Sequence, residues 1–170
     1  NKKDFERYPR NNKKDLLILK KLKVDFVYTP KVKHLYKSKN TNKIKLTKKD
    51  KILCAKYRKG HFEGVINVMQ RLSNLIRPTK IFMGKKDFQQ LFLVKNFIEN
   101  RFNTKIIGCK TIRNKNKLAL SSRNFLFSKK ELSKVEKISN SFLKLKTKIK
   151  NIKEINKFLY KSKNEIENFF

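Results

Sequence analysis

Between residues 80 and 108 the sequence runs apolar, then helical, then apolar again, with a glycine after each apolar run. That alternation limits the possible fold more than any other feature. Lys80-Ile81-Phe82-Met83 has the composition of a short strand and ends on Gly84. A helix is expected from near Asp87, burying Leu91, Val94, Phe97 and Ile98 on one face. Ile106-Ile107-Gly108 reads as the next strand. Strands joined through a helix pair in parallel. The expected fold class is therefore α/β, an open parallel sheet covered by helices. Ligands of such sheets bind just beyond the C-terminal ends of the strands. Gly84-Lys85-Lys86-Asp87 falls at that edge.

With four glycines and three prolines in 170 residues, each one punctuates the chain. Asn12 is placed to cap a helix carrying Leu16, Leu17, Leu19 and Leu22. Val24-Asp25-Phe26-Val27-Tyr28 reads as a short buried strand ended by Thr29-Pro30, and Ile44-Lys45-Leu46 as another short strand. Gly60-His61-Phe62-Glu63-Gly64 opens a helix carrying Val65, Val68, Met69, Leu72, Leu75 and Ile76, which Arg77-Pro78 ends. Arg113 to Asn116 is a polar loop, and Ser128 with Glu131 forms a capping box for a further helix. The stretch from about Ile152 is again helical in pattern. The chain begins at Asn1 and stops at Phe170 inside an amphipathic pattern, so it reads as a fragment.

The charge is extreme: 46 Lys+Arg against 13 Asp+Glu, a net +33. Only eight of the 46 are arginines, and the lysines are spread along the whole chain beside many Asn and Ile. Base and phosphate recognition favours the bidentate arginine fork. Codon bias therefore ranks ahead of a nucleic-acid footprint, although such a charge still attracts polyanions at low salt. No apolar run reaches membrane-spanning length, and no leader pattern is present. Cys54 and Cys109 have neither scaffold nor metal-ligand spacing. The expected setting is the reduced cytoplasm.

Three constellations can carry chemistry. Gly84-Lys85-Lys86-Asp87-Phe88-Gln89-Gln90 places a close-approach glycine, cations and free helix N–H groups together, as a phosphate requires. Asp87 there is equally a helix cap or a metal ligand, and the whole stretch is equally a plain capped turn. Leu120-Ser121-Ser122-Arg123 offers two hydroxyls and a guanidinium on a mobile loop, suited to a polyphosphate or to a simple polar turn. Arg58-Lys59-Gly60-His61 is a basic turn before a helix, where His61 either shuttles protons or packs. His34 reads as a surface residue.

Taken in order, these segments resemble the pantothenate synthetase (pantoate–β-alanine ligase) family. Arg7-Tyr8-Pro9-Arg10 with Val24-Asp25 through Pro30 and Tyr36, then Arg58-x-Gly60-His61-Phe62-x-Gly64-Val65, follow that family's pattern. So do Gly84-x-Lys86-Asp87-Phe88-Gln89-Gln90 and Leu118-Ala119-Leu120-Ser121-Ser122-Arg123-Asn124. The agreement extends from residue 1 to about 135.

The resemblance implies a nucleotidyltransferase-type (Rossmann-like) α/β domain over 1–125 and the start of a small α+β C-terminal domain over 126–170. It implies a ligase that forms pantoyl adenylate from ATP and pantoate with Mg²⁺, then passes the pantoyl group to β-alanine. Gly84, Lys85, Lys86, Asp87, Ile112, Leu120, Ser121, Ser122 and Arg123 would face ATP. Gln90 would bind pantoate, and Asp15 is a candidate Mg²⁺ contact. A homodimer is expected, with no membrane and no specific nucleic acid as partner. The family's His-x-Gly-His motif, with its acid histidine, is not in the sequence, so these 170 residues alone are expected to be inactive. Lys85 stands where Glu is usual, and Cys54-Ala55 where Glu-Gly is usual. The competing readings are a basic nucleic-acid-binding α/β module and another adenylate-forming nucleotidyltransferase.

Overall fold

The computed structural model describes residues 6, 8, 11–36, 44–148, 155, 156 and 160. The contacts divide the chain into two compact units. One comprises Leu16–Thr111, and the other joins Asn1–Asp15 to Ile112–Phe170.

The first unit is built on a parallel pair of strands, β1 (Lys80–Gly84) and β2 (Lys105–Cys109), in register Lys80↔Lys105 through Gly84↔Cys109. Along β1, Ile81 and Met83 turn toward the core and Phe82 faces out, the two-residue period of a half-buried strand. Of the helices, numbered along the chain, α1 spans Asn12–Lys21, α2 Val32–Leu35, α3 Cys54–Tyr57, α4 His61–Ile76, α5 Phe88–Glu99 and α6 Lys129–Lys148. Helix α5 is the crossover between the two strands, and α4 packs against it. Ile66, Val94 and Ile98 are fully excluded from solvent, surrounded by Phe62, Leu91, Leu93 and Ile106. At the lower end of the strands, the Glu99 carboxylate accepts the Ile106 N–H at 2.8 Å, and the Thr104 hydroxyl donates to the Pro78 carbonyl at 2.6 Å. These bonds fix where the second strand starts.

The expected α4, α5, β1 and β2 all form. Two expected strands do not. Residues 24–28 are irregular and exposed, with Phe26 93% open. Their apolar character confers strand propensity, but a strand needs a neighbour to take its backbone groups, and no described strand runs beside them. Residues 44–46 also lack a ladder: Leu46 is buried and Ile44 packs on the core, so they serve as apolar plugs. Helix α1 forms with no buried residue. Its cap is Asn11 rather than Asn12, the Asn11 side chain accepting the Lys14 N–H at 3.0 Å.

In the second unit, residues 112–120 make a small hairpin, with Arg113 bridged antiparallel to Ala119 and the Leu120 N–H donating to the Ile112 carbonyl. Ser128 caps α6 as expected: the Glu131 carboxylate accepts from its N–H (2.8 Å) and its hydroxyl (2.7 Å). The contacts group the hairpin with α6, and a row of hydrogen bonds joins the two. The helical pattern beyond Ile152 lies almost wholly outside the described residues. Among the described residues no helix is long and apolar enough to cross a membrane.

Candidate functional site

One cluster of candidate residues grows from the C-terminal end of β1. Gly84 closes the strand, Lys85–Asp87 make one 3₁₀ turn, and α5 begins at Phe88. The N-terminus of α5, with the positive end of the helix dipole, therefore lies at this edge. Lys86 Nζ lies 3.5 Å from the Asp87 carboxylate. Asp87 holds the cap position of α5 but makes no side-chain cap bond, so its carboxylate attends to Lys86. Gly108, near the end of β2, faces the Lys85 stem: a Cβ there would stand 3.1 Å from Lys85 Cε and 3.1 Å from Leu91 Cδ2. Glycine thus lets Lys85 cross the sheet edge closely. Gln90 is half-buried in the first turn of α5.

Gln89, a motif residue to which the sequence pattern assigns no role, is a tie. Its amide donates to the Ile52 carbonyl at 2.8 Å and to the Asp50 carbonyl at 3.4 Å. The segment it holds is already folded on itself through the Thr47 hydroxyl and the Asp50 carboxylate, 2.7 Å apart. Ile52, Leu53, Phe88, Phe92 and Leu93 line an apolar cavity of about 210 Å³ beside it.

His61 opens α4 after Gly60, whose φ of 75° is the left-handed conformation the turn demands. Its ring tilts against Phe62 at 4.9 Å. Burial, then the nearby Arg58 charge, lower its pKa from the ordinary value, so His61 is neutral at physiological pH.

A second cluster, in the other unit, is fastened by hydrogen bonds. Ser121 caps a 3₁₀ turn over Ser122–Leu126, its hydroxyl accepting the Arg123 N–H at 3.3 Å. The Asn124 amide donates to the Ala119 carbonyl at 2.9 Å. The Arg123 guanidinium stands 5.0 Å above the Tyr8 ring, a cation–π arrangement. Leu120, Ser121, Ser122, Asn124 and Asn114 border an open cavity of about 560 Å³. Ile112 is exposed at the base of the hairpin.

Gly84, Lys85, Lys86, Asp87 and Gln90 therefore share one edge of the first unit. Ile112, Leu120, Ser121, Ser122 and Arg123 share one hairpin and turn of the second. Asp15 is exposed on α1. Among the described residues no three His, Cys, Asp or Glu side chains cluster to hold a metal ion. Cys54 and Cys109 are exposed free thiols. His34 is exposed on α2.

A family model described as pantoate-beta-alanine ligase matches residues 1–169. The chain belongs to that family. Among its curated relatives, the pantothenate synthetase of Clostridium botulinum (strain ATCC 19397 / Type A) is 39% identical over 131 residues, 76% of this chain and 47% of the relative. That of Sulfurihydrogenibium sp. (strain YO3AOP1) is 34% identical over 137 residues, 80% of this chain and 49% of the relative. The chain thus spans about half the length of these curated relatives. Among solved structures, the pantoate-beta-alanine ligase from Francisella tularensis, complexed with beta-gamma ATP and beta-alanine, superposes with TM-score 0.79 at 32% identity, covering 94% of this chain and 62% of that one. The pantothenate synthetase from Thermus thermophilus gives 0.77 at 30%, covering 84% and 52%. The α/β fold of the nucleotidyltransferase type, expected from the pantoate–β-alanine ligase resemblance, is the fold found.

Proposed function

We propose that the protein joins pantoate to β-alanine at the expense of ATP, through a pantoyl-adenylate intermediate. A pantoate carboxylate oxygen attacks the α-phosphorus of ATP, and the bond to the bridging oxygen breaks to release pyrophosphate. The β-alanine amine then attacks the acyl carbon, loses a proton, and displaces AMP. Such chemistry needs fixed cations and N–H donors where charge develops, not a covalent nucleophile.

The observation that carries this reading is the placement of Lys86 and Asp87 at the C-terminal edge of the parallel pair, at the N-terminus of α5. Lys86 neutralises phosphate charge, with Gly84 and Lys85 lining the nucleotide and Gln90 binding pantoate. Ile112 meets the nucleotide through its backbone, and Leu120, Ser121, Ser122 and Arg123 hold the triphosphate. Mg²⁺ accompanies ATP in this reading, with Asp15 as its candidate contact. The active form is a cytoplasmic homodimer in this reading.

The test is pantoate-dependent ATP–pyrophosphate exchange by the protein at its full natural length. Exchange that needs pantoate and falls at least about 100-fold in Lys86→Ala, the scale of one lost charge-stabilising group, supports the reading. Exchange in Lys86→Ala equal to that of the unsubstituted protein overturns it.

A further inference from the structure

Helix α6 reaches the nucleotide hairpin through one carboxylate. The Glu136 Oε1 atom accepts from the Asn114 side-chain amide at 2.7 Å, and its Oε2 atom accepts from the Asn116 amide at 2.7 Å. These two asparagines bracket the tip of the hairpin over residues 112–120. Both bonds are short and charge-assisted, the strong class of side-chain hydrogen bond. Asn114 passes the restraint inward, because its Oδ1 accepts the Leu118 N–H at 2.9 Å and its own N–H donates to the Leu118 carbonyl at 2.8 Å. One turn further along α6, Ser139 donates to the Lys117 carbonyl at 2.9 Å and Asn140 to the Asn116 carbonyl at 3.1 Å. Arg113 also donates to the Lys117 carbonyl at 2.9 Å.

The tip needs such fastening. Lys117 stands at φ 66°, a left-handed conformation that costs a side-chain-bearing residue about 1–2 kcal/mol. Beyond the tip the chain returns as Leu118-Ala119-Leu120 and runs straight into Ser121, Ser122 and Arg123. The Asn124 amide ties that turn back onto Ala119. A shift of the tip would therefore be transmitted to every ATP-facing group of this unit.

The geometry points to Glu136 as a positioning residue for ATP: it touches no substrate, and it sets the hairpin that presents Ile112 and Ser121–Arg123. This rests on the ATP-dependent reading above. Sub-ångström placement of binding groups is what such supporting shells supply.

The experiment compares Glu136→Ala, Glu136→Gln and Asn116→Ala in the full-length protein by pantoate-dependent ATP–pyrophosphate exchange, with amide hydrogen exchange over residues 112–124. Glu136→Ala raises KM for ATP about tenfold, the scale of one strong hydrogen bond lost from a bound state. KM for pantoate stays put, and the amides of 114–120 exchange faster. Glu136→Gln keeps one carbonyl acceptor and gives an intermediate KM. Asn116→Ala combined with Glu136→Ala is less than additive, as expected for partners in one bond. An ATP KM unchanged in both Glu136 variants overturns the assignment. So does an equal rise in both KM values, which would mark general destabilisation. If the unsubstituted protein shows no pantoate-dependent exchange, the ligase reading itself fails and takes the ATP role of Glu136 with it. Unchanged KM values in an active protein count against Glu136 alone.

Discussion

Lys86 has little to hold it except Asp87, 3.5 Å away and itself largely exposed. Such an ion pair adds little to stability. Under the proposed function it aims an ammonium at the sheet edge, so Lys86→Ala should leave the thermal unfolding midpoint within about a degree while removing exchange activity. A residue can also be held for stability alone. Hydrogen bonds from the Ser128 hydroxyl, then from its backbone N–H, hold the Glu131 carboxyl below its ordinary pKa. A lowered folded value means that the stabilisation is complete above the unfolded carboxylate range and is lost as pH falls through the folded value. Glu131→Gln, which mimics the protonated form, should unfold at lower temperature than the unsubstituted protein at neutral pH. The gap should close in acid. A gap of constant size across the titration would show that the carboxylate charge is not what stabilises the cap.

Helix α4 allows two glycines to be compared within one element. Gly60 precedes it at φ 75°, and Gly64 lies inside it, exposed, with nothing within 4 Å of an added Cβ. Gly60→Ala forces a left-handed alanine and should destabilise by about 1–2 kcal/mol. Gly64→Ala gains helix propensity and should stabilise by up to about 1 kcal/mol. Chemical denaturation of the two variants measures both. Equal effects in the same direction would mean that the turn before α4 is not the left-handed one seen here. The same helix shows why its sequence signal is strong: Phe62, Ile66 and Ser73 are buried on one stripe, so the pattern in the sequence and the packing coincide. In α1, by contrast, Leu16, Leu17 and Ile18 stay exposed. Periodicity shows that a helix can have an apolar face but not that a partner covers it.

For the whole chain, the net charge of +33 is carried mostly by dispersed lysines. Binding to DNA or heparin should be independent of sequence and should fall steeply with salt, as counterion release requires. Fluorescence anisotropy with two unrelated duplexes, titrated from low to physiological salt, tests this. Binding that persists at physiological salt and discriminates between the duplexes would mean that the charge reads nucleic acid after all. Dispersed charge also opposes non-specific clumping, which the chain needs, because Phe26, Phe82, Phe88 and Phe125 are all at least 65% exposed.

Features set by local chemistry were readable before any fold was known. Helix α4 follows from its apolar period and Gly60, and α6 from the Ser128–Glu131 cap. The β1–α5–β2 unit follows from two glycine-ended apolar runs around a helical one. The ordered motifs from Arg7 to Asn124 were legible too, since spacing along a chain survives folding, and they pointed to the family to which the chain belongs. Long-range packing decided the rest. It denied residues 24–28 their strand, because a ladder depends on a neighbour that no local pattern encodes. It made Gln89 a tie to Asp50 and Ile52, residues 37 and more positions away. It joined Asn114 and Asn116 to Glu136, across 22 and 20 positions, so the hairpin groups with α6 instead of with the strands that precede it. Hydrogen bonds between such distant side chains leave no periodic trace in the sequence, and only the folded chain brings their atoms within about 3 Å.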